Sequence, residues 1–360
     1  MKMKRVLFFA SVTLTYCLLA WGCCRTEPAS FGVNMSGGEF GGVYPGELGV
    51  HYGYPAAADL DYFKEKGLTL IRFPFRWERL QPELYGELNE RDLELMKAFV
   101  AAAKEREMPI FIDMHNFGRR SMDGGKTQTL IGEGPELTAD HLADAWGKLA
   151  AAFKDDGLWG YDIMNEPHDM SANAPWFGIA QAVIDRIRTV DTRTPIVISG
   201  DSWSSGERWL QFSDTLRLLK DPANKLIFQC HQYFDHNSAG SYGKRNEEGV
   251  FLPSTYEFEG ATPQTGVERI RPFVEWLRKH DLKGLVGEYG IPDDDPRWNV
   301  VLDNMLKYMQ ENNVSGTYWS AGPRWGKYRL AVQPYENYTV DRPQMEVLSK
   351  YGACRKAKAE

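Results

Sequence analysis

Two glutamates, Glu166 and Glu288, stand far apart in the chain but at the ends of similar short apolar segments. The first follows Trp159–Met164 and Asn165, and the second directly follows Gly284–Gly287. Cleavage of a glycosidic bond needs a carboxylic acid that protonates the leaving oxygen and a carboxylate that attacks the anomeric carbon or activates water. A single glutamate in such a place is more often a solvated or salt-bridged group. As a pair, the two suggest sugar chemistry.

Other apolar segments also end in polar or aromatic residues. The residues at or near these segment ends are Arg72, His115, Asn116, Asn165, His231, Tyr233 and Trp319. For any one of them a structural role is the more common outcome. Their joint occurrence at consecutive segment ends favours a shared site.

The segments themselves have the lengths of strands, and they alternate with longer segments of helical period, as in repeated βα units. The predicted strands are Phe31–Met35, Thr69–Pro74, Ile110–Met114, Gly160–Met164, Pro195–Ser199, Leu226–Cys230, Gly284–Gly287 and Ser315–Trp319. The predicted helices include Arg91–Glu107, Ala139–Phe153 with Thr138 as N-cap, Pro263–His280 and Arg297–Asn312. Eight such units without a glycine-rich phosphate turn predict a single-domain α/β fold, the (β/α)8 TIM barrel. In that barrel the polar residues at the strand ends would meet at one face.

Composition limits the partners. The chain has 360 residues and a formal net charge of -7, which argues against nucleic acid and favours a neutral or weakly charged substrate. Its 11 Trp, 17 Tyr and 18 Phe residues suit stacking on sugar rings, but an aromatic core explains the total equally well. No feature calls for a cofactor or a metal, and we expect a monomer.

The amino terminus has the pattern of an export signal. Basic Met1–Arg5 precedes apolar Val6–Trp21, which is too short to span a bilayer. Gly22 before Cys23 resembles the site at which bacterial lipoproteins are cut and acylated, with ordinary signal cleavage as the alternative. We therefore predict an export signal over 1–23, a tether over 24–30, the barrel over 31–350 and a tail over 351–360. A lipid would anchor the protein to a membrane, in the periplasm or at the cell surface.

The cysteines do not form a disulfide framework. Cys17, Cys23 and Cys24 lie in the export segment, which leaves Cys230 and Cys354. Cys230 is predicted to be a small buried hydrophobic residue, and the sequence does not decide whether it forms a disulfide with Cys354.

Two long insertions, Asn116–Leu137 and His236–Thr262, interrupt the alternation of strands and helices. Loops of that length in a compact barrel usually serve the substrate side.

Together, the segment ends resemble glycoside hydrolase family 5 of the cellulase superfamily, from Gly32 to about Pro334. The motifs that carry the resemblance, in the family's order, are Gly32–Met35, Glu39–Gly41, Arg72–Trp77, Asp113–Asn116, Asn165–Pro167, Gly200–Trp203, His231–Tyr233, Gly287–Gly290 and Trp319–Pro323. The combination of Glu39–Gly41, His231–Asp235 and Gly322–Trp325 is most similar to the endo-β-1,4-glucanase subfamily. The charged segment Ser241–Glu248 departs from the family pattern.

This resemblance implies a retaining hydrolase in which Glu166 is the acid/base and Glu288 the nucleophile. Arg72 and Tyr233 would lower the pKa of Glu288. A less polar setting near Trp203, together with the charge of Glu288, would raise the pKa of Glu166. Retention of configuration then predicts a carboxyl separation of about 5 Å.

The remaining polar and aromatic residues would bind substrate. Asn165 would contact the sugar 2-hydroxyl, and His115 and His231 would orient the glutamates or sugar hydroxyls, with Asn116 beside them. Trp319 would form the floor of the subsite at the cleavage point. Further stacking candidates are Trp203, Trp325, Trp176 and Trp298.

Three alternatives stay open. The same mechanism could act on β-mannan or xyloglucan instead of cellulose or mixed-linkage β-glucan, because fold and catalytic pair are shared among such enzymes. A metal-dependent barrel hydrolase would use His115, His231 and acidic strand ends, although strand one offers only Asn34. The third alternative is a non-catalytic surface protein that binds glycans.

Overall fold

The structure is a computed structural model that describes residues 29–352 except residue 249. The predicted export signal, most of the tether and Cys354 lie outside the described residues. Among the helices in the described part of the chain, none is both long and apolar enough to cross a bilayer.

Eight parallel strands form a closed barrel, which confirms the predicted (β/α)8 fold. They are β1 (Phe31–Met35), β2 (Leu70–Phe75), β3 (Ile110–Met114), β4 (Gly160–Asp162), β5 (Ile196–Ser199), β6 (Leu226–His231), β7 (Gly284–Glu288) and β8 (Ser315–Ala321). Each strand pairs with the next in the chain, and β8 closes the barrel on β1. The predicted strands differ from these by a few residues at their ends.

Helices surround the barrel. The long ones are α1 (Ala57–Glu65), α2 (Glu90–Glu105), α3 (Ala139–Phe153), α4 (Trp176–Arg188), α5 (Thr265–His280) and α6 (Arg297–Glu311). Short helical turns cover Trp77–Leu80, Asp201–Ser204, Trp209–Phe212, Asp214–Leu218, Tyr256–Glu259 and Met345–Leu348. Helix α3 begins after Thr138, as predicted, and the Thr138 backbone N–H donates to His141 Nδ1 at 2.9 Å.

The two long insertions each contain a small hairpin. Arg119–Arg120 pairs with Thr129–Leu130 in the first, and Gly243–Arg245 pairs with Phe251–Pro253 in the second. The departing segment Ser241–Glu248 therefore includes one hairpin strand. Tyr242 anchors it, because its buried hydroxyl donates to the Gly290 carbonyl at 2.6 Å.

The interior of the barrel is built in layers. An apolar layer fills its amino-terminal end, made of Leu70, Phe111, Val197, Ile227 and Leu285. Side chains alternate along a strand, so residues two positions further on face the interior again. After four of these residues the next inward side chain is polar and fully buried: Arg72, Asp113, Ser199 and Gln229. Asp162 on β4, two residues after Gly160, is also fully buried, whereas Leu285 on β7 is followed by Gly287. A polar layer therefore lies directly beneath the strand ends.

Most tryptophans belong to the core. Of the ten tryptophans among the described residues, six are fully buried: Trp77, Trp146, Trp176, Trp209, Trp276 and Trp298. The prediction that Trp176 and Trp298 stack on sugar is wrong, since they are 1% and 2% exposed. The Trp176 indole N–H donates to the Ser199 carbonyl at 2.8 Å, and Trp298 packs edge-on against two tyrosines of the second insertion.

Cys230 is a buried free thiol, as predicted for a small apolar residue on β6. The proposed partner Cys354 lies outside the described residues.

Candidate active site

Arg72 is the centre of the polar layer. All five N–H groups of a guanidinium can donate, and here five acceptors surround a side chain that is fully buried. The acceptors are Asp162 Oδ2 at 2.8 Å, Asn34 Oδ1 at 2.9 Å, Glu288 Oε1 at 2.7 Å, Asn165 Oδ1 at 2.7 Å and Asp113 Oδ2 at 3.1 Å. One cation thus connects side chains from β1, β3, β4 and β7 and from the end of β4.

Glu288, the last residue of β7, accepts two hydrogen bonds. Its Oε1 faces the Arg72 guanidinium, and its Oε2 accepts from the Tyr233 hydroxyl at 2.8 Å. Both contacts favour the ionised carboxylate. Glu288 is therefore held in one orientation by two donors that stabilise its charge.

Glu166 follows β4 and has a positive φ of 41°, an unusual backbone conformation for a glutamate. Its Oε1 lies 2.7 Å from His231 Nδ1, and the same nitrogen lies 3.6 Å from Glu288 Oε2. Burial lowers the pKa of His231 to about 3, so its imidazole is neutral. One carboxyl oxygen of Glu166 and one of Glu288 lie within 4.8 Å of each other.

The two carboxyls compete for a proton. Burial raises the pKa of both Glu166 and Glu288 to about 7, although Arg72 lowers both values and the Tyr233 hydroxyl lowers that of Glu288. Glu288 has a direct cation and a hydroxyl donor, whereas a neutral histidine is the direct side-chain partner of Glu166. When the pair holds a single proton, that proton therefore resides on Glu166.

His115 and Asn165 line the same mouth. The His115 ring stacks on Trp319 at a centroid distance of 5.2 Å, and its Nδ1 lies 2.8 Å from Asp113 Oδ2. Asn165 gives its oxygen to Arg72, and its Nδ2 lies 3.4 Å from His115 Nε2. His115 therefore contacts Asn165 and Trp319 and neither glutamate of the pair, whereas His231 contacts Glu166.

Asn116 has structural contacts. Its side chain accepts from the Trp77 backbone N–H at 2.9 Å and donates to Glu78 Oε2 at 2.8 Å. Both of its polar atoms are used in holding the segment after β2. Neither of these contacts of Asn116 is with Glu166 or Glu288, so its observed role is to hold this segment in place.

Aromatic rings flank the pair on two sides. Trp203 is 42% exposed and stacks on His168 with a centroid distance of 4.1 Å and an interplanar angle of 10°. Trp325 packs edge-on against Trp319 at 5.6 Å and against Phe40 at 4.6 Å. These rings provide the flat apolar faces on which sugar rings stack.

Several supporting residues were not predicted from sequence. Asp113, Asp162 and Gln229 hold Arg72 or one another, and His168 supports Trp203. A signal was available for the aspartates, because each interrupts an otherwise apolar predicted strand near its end, and a buried charge requires a partner. His168 gave no such signal.

The carboxyl pair could also be considered as a cation site. Within the described residues, Glu166, His231 and Glu288 offer three ligand-type atoms close together. The Arg72 guanidinium, however, already supplies a positive charge 2.7 Å from Glu288. His115, the other histidine of the metal-hydrolase alternative, pairs with Asp113 instead.

Replacing Arg72 with Met is expected to destabilise the fold by about 3–5 kcal/mol, because it leaves buried carboxylates without their cation. Burial already raises the pKa of Asp113 to about 7 and that of Asp162 to about 6, opposed by Arg72. Without Arg72 the folded-state pKa values rise further above the unfolded values. Below about pH 6 these aspartates are protonated in both folded proteins, so the two lose stability in parallel as pH rises. The variant loses additional stability relative to the wild type from about pH 6 to about pH 8, where the wild-type aspartates ionise beside Arg72 and those of the variant do not.

Thermal unfolding of both proteins across that pH range measures the effect. The difference in Tm should widen as pH rises. A constant or narrowing difference would contradict the assigned role of Arg72.

A closed barrel with a largely buried carboxyl pair at the carboxyl ends of its strands, and with tryptophans nearby that include the exposed Trp203, defines a class, the barrel glycoside hydrolases. The side chains that form this site lie on or directly after β2, β3, β6, β7 and β8 and in the segment after β4.

Comparison with known proteins agrees with that class. Residues 27–324 match the family model of cellulase, glycosyl hydrolase family 5, and the chain belongs to that family. Pseudomonas stutzeri endoglucanase Cel5A, solved in complex with cellobiose, is 42% identical with a TM-score of 0.80, covering 90% of this chain and 92% of its own. An endo-beta-1,4-glucanase from Xanthomonas axonopodis pv. citri is 34% identical with a TM-score of 0.78, covering 90% and 98%. Endo-beta-1,4-glucanase B of Aspergillus niger is 29% identical over 359 residues, which cover 98% of this chain and all of the relative.

Proposed function

We propose that this chain is an endo-β-1,4-glucanase that hydrolyses cellulose or mixed-linkage β-glucan with retention of configuration. The observation that carries the mechanism is the distance of at most 4.8 Å between carboxyl oxygens of Glu166 and Glu288. Retaining enzymes have carboxyl groups about 5–5.5 Å apart, whereas inverting enzymes leave about 6.5–9.5 Å for a water molecule.

The reaction proceeds in two displacements. The Glu288 carboxylate attacks the anomeric carbon while Glu166 donates its proton to the leaving glycosidic oxygen, which gives a covalent glycosyl-enzyme and a released sugar chain. Glu166, now ionised, takes a proton from water as that water attacks the same carbon. The bond to Glu288 breaks, and Glu166 regains its proton. Two inversions return the original configuration.

Asn165 supports the first displacement. Its oxygen is held by Arg72 and its Nδ2 lies 3.4 Å from His115 Nε2, which orients the amide and leaves an N–H beside Glu166 to bind the sugar 2-hydroxyl. That contact strengthens as charge develops at the transition state. The Trp319 ring, stacked on His115, is the floor on which the sugar at the cleavage point lies.

The choice of β-1,4-glucan as substrate rests on similarity to proteins named endo-β-1,4-glucanases. β-Mannan and xyloglucan are the competing substrates, because the carboxyl pair would serve all of them. The non-catalytic alternative is disfavoured by the intact and mutually oriented pair. We also propose export of the chain through residues 1–23, with a lipid on Cys23.

Reducing-sugar release tests the substrate assignment. We expect the protein to act on carboxymethylcellulose and barley β-glucan, with little action on mannan or xyloglucan. Activity on mannan or xyloglucan alone would be consistent with the carboxyl-pair mechanism but would show that β-1,4-glucan is not the substrate. Inactivity on all four, with binding to one of them, would instead support the non-catalytic alternative.

A further inference from the structure

A second cavity lies at the mouth of the barrel, away from the carboxyl pair. It has a volume of about 400 Å³, within the range of small-molecule sites. Three segments line it: Tyr44–Pro45, the stretch from Glu78 to Leu84, and the hairpin loop from Arg120 to Gly124. None of the residues that contact the carboxyl pair is among its lining residues.

The cavity is preformed, because its three walls are tied to one another. The Tyr44 backbone N–H donates to the Gly124 carbonyl at 3.1 Å, and the Ser121 N–H donates to Glu78 Oε1 at 2.8 Å. Arg79 Nε donates to the Pro45 carbonyl at 2.9 Å. Binding there would not require the loops to become ordered first.

Arg120 is the unusual member of the lining. It is 2% exposed and lies over the Trp77 ring, and its Nη2 donates to the carbonyls of Gln81 and Pro82. Its Nε and Nη1 are buried, and neither makes a hydrogen bond to any of the described residues. Unsatisfied buried donors are rare and costly, and they often mark a place that a further partner completes.

The other lining residues define the chemistry of that partner. Both oxygens of Glu78 are already used, by Ser121 and Asn116, while Glu83 is exposed. Arg120 faces two acidic residues, so the lining has an excess of negative charge that disfavours an anion. Hydroxyl groups both donate and accept, so they suit Arg120 and Glu83 together. The Tyr44 ring and the neighbouring apolar side chains suit the C–H faces of a sugar.

The cavity is also connected to the aromatic floor of the active site. Phe40, which packs on Trp325, precedes Tyr44 by four residues in one loop, a span of at most about 14 Å. Arg79 holds both ends of this loop, through the carbonyls of Gly38 and Pro45. A glucan chain lying on Trp319 and Trp325 could therefore reach the cavity with a distant unit or a branch.

We propose that this cavity, lined by Tyr44, Glu83 and Arg120, is an accessory subsite for a neutral sugar unit of the polysaccharide bound in the active site. The proposal rests on the proposed glucanase function. The sugar is either a distant backbone glucose or a xylosyl branch, since both present the same hydroxyl chemistry.

Calorimetric titration of the full-length chain with Glu288→Gln measures binding without turnover. The ligands are cellohexaose and a xylosyl-substituted cellotetraose, and the added variants are Arg120→Met and Glu83→Gln. We expect about tenfold weaker binding for the first and about threefold for the second, because each loses charge-assisted hydrogen bonds to hydroxyls. Glu87→Gln, an exposed glutamate on the same loop outside the cavity, is the matched control and should leave affinity unchanged.

Comparing the two ligands distinguishes a backbone glucose from a xylosyl branch as the sugar that binds in the cavity. Weaker binding of cellohexaose identifies a backbone unit, and weaker binding of the branched ligand alone identifies a branch. In the active enzyme, turnover of an aryl cellobioside should stay within about twofold in Arg120→Met, because that substrate is too short to reach the cavity.

Unchanged affinity for both ligands in folded Arg120→Met and Glu83→Gln proteins would overturn the proposal. So would binding of acetate or phosphate that is lost in Arg120→Met. If Arg120→Met does not fold, the exposed Glu83 variant decides. A chain that hydrolyses no glucan but still binds either ligand through Arg120 would refute the glucanase function while supporting the subsite.

Discussion

Replacing Glu288 with Gln should lower kcat on polymeric β-glucan by about four to six orders of magnitude, the effect expected when a covalent nucleophile is removed. An amide has nearly the same shape as the carboxylate but cannot attack the anomeric carbon. Its oxygen can still accept from Arg72 or Tyr233, so the geometry around it should survive. Initial rates of reducing-sugar release measure the loss.

Three further measurements test the assigned role of Glu288. Binding of cello-oligosaccharides to Glu288→Gln should remain within a few-fold of the wild type, and Glu207→Gln, a partly exposed glutamate outside the pair, should retain activity. In Glu288→Gly, azide should restore turnover of an activated aryl glycoside and give the glycosyl azide of inverted configuration, because the anion replaces the missing carboxylate. Substantial polymer cleavage by Glu288→Gln would remove Glu288 as nucleophile.

Replacing Glu166 with Ala should lower activity on polymers by about two to four orders of magnitude, the usual contribution of general acid catalysis. The reason is the leaving group, since a sugar alkoxide leaves poorly without a proton. A dinitrophenyl glycoside carries a leaving group that needs none, so its first displacement should slow far less. Burst kinetics with that substrate would separate the two displacements. Equal losses on polymer and dinitrophenyl substrates would contradict the assignment.

The pH profile provides a second test of Glu166. The acid form is the active one in the first displacement, and burial raises the pKa of Glu166 to about 7. Activity on polymers should therefore fall as pH rises through about 7, because the proton needed by the leaving oxygen is lost. This alkaline decline should be absent from the residual activity of Glu166→Ala on dinitrophenyl glycosides. A decline that persists there would place the titrating group elsewhere.

The fold could be predicted closely from sequence. The barrel follows from eight apolar segments of strand length separated by helical segments, and this periodicity is a local property of the chain. The carboxyl ends of parallel strands meet at one face, so Glu166, Glu288, Arg72 and His231 were expected to lie together. Each of them now makes contacts within that group.

The burial of individual aromatic residues could not be predicted in the same way. Trp176 and Trp203 both follow polar segments. Trp176, the first residue of α4, is buried against the end of β5, whereas Trp203 is exposed and stacks on His168. The difference depends on how a helix packs on the barrel, which residue type does not specify. The same is true of Asn116, whose contacts with Trp77 and Glu78 hold the segment after β2.

The sequence by itself therefore determined the barrel, the two glutamates and the face on which they meet, because hydrophobic period and strand direction are written along the chain. Only the tertiary structure decided that one arginine, Arg72, contacts five acceptors and that Glu288 has a cation and a hydroxyl donor as partners where Glu166 has a histidine. It also decided that Arg120 lines a cavity with two donors unpaired among the described residues. Those properties depend on distances and burial between residues remote in the chain, and close packing sets them.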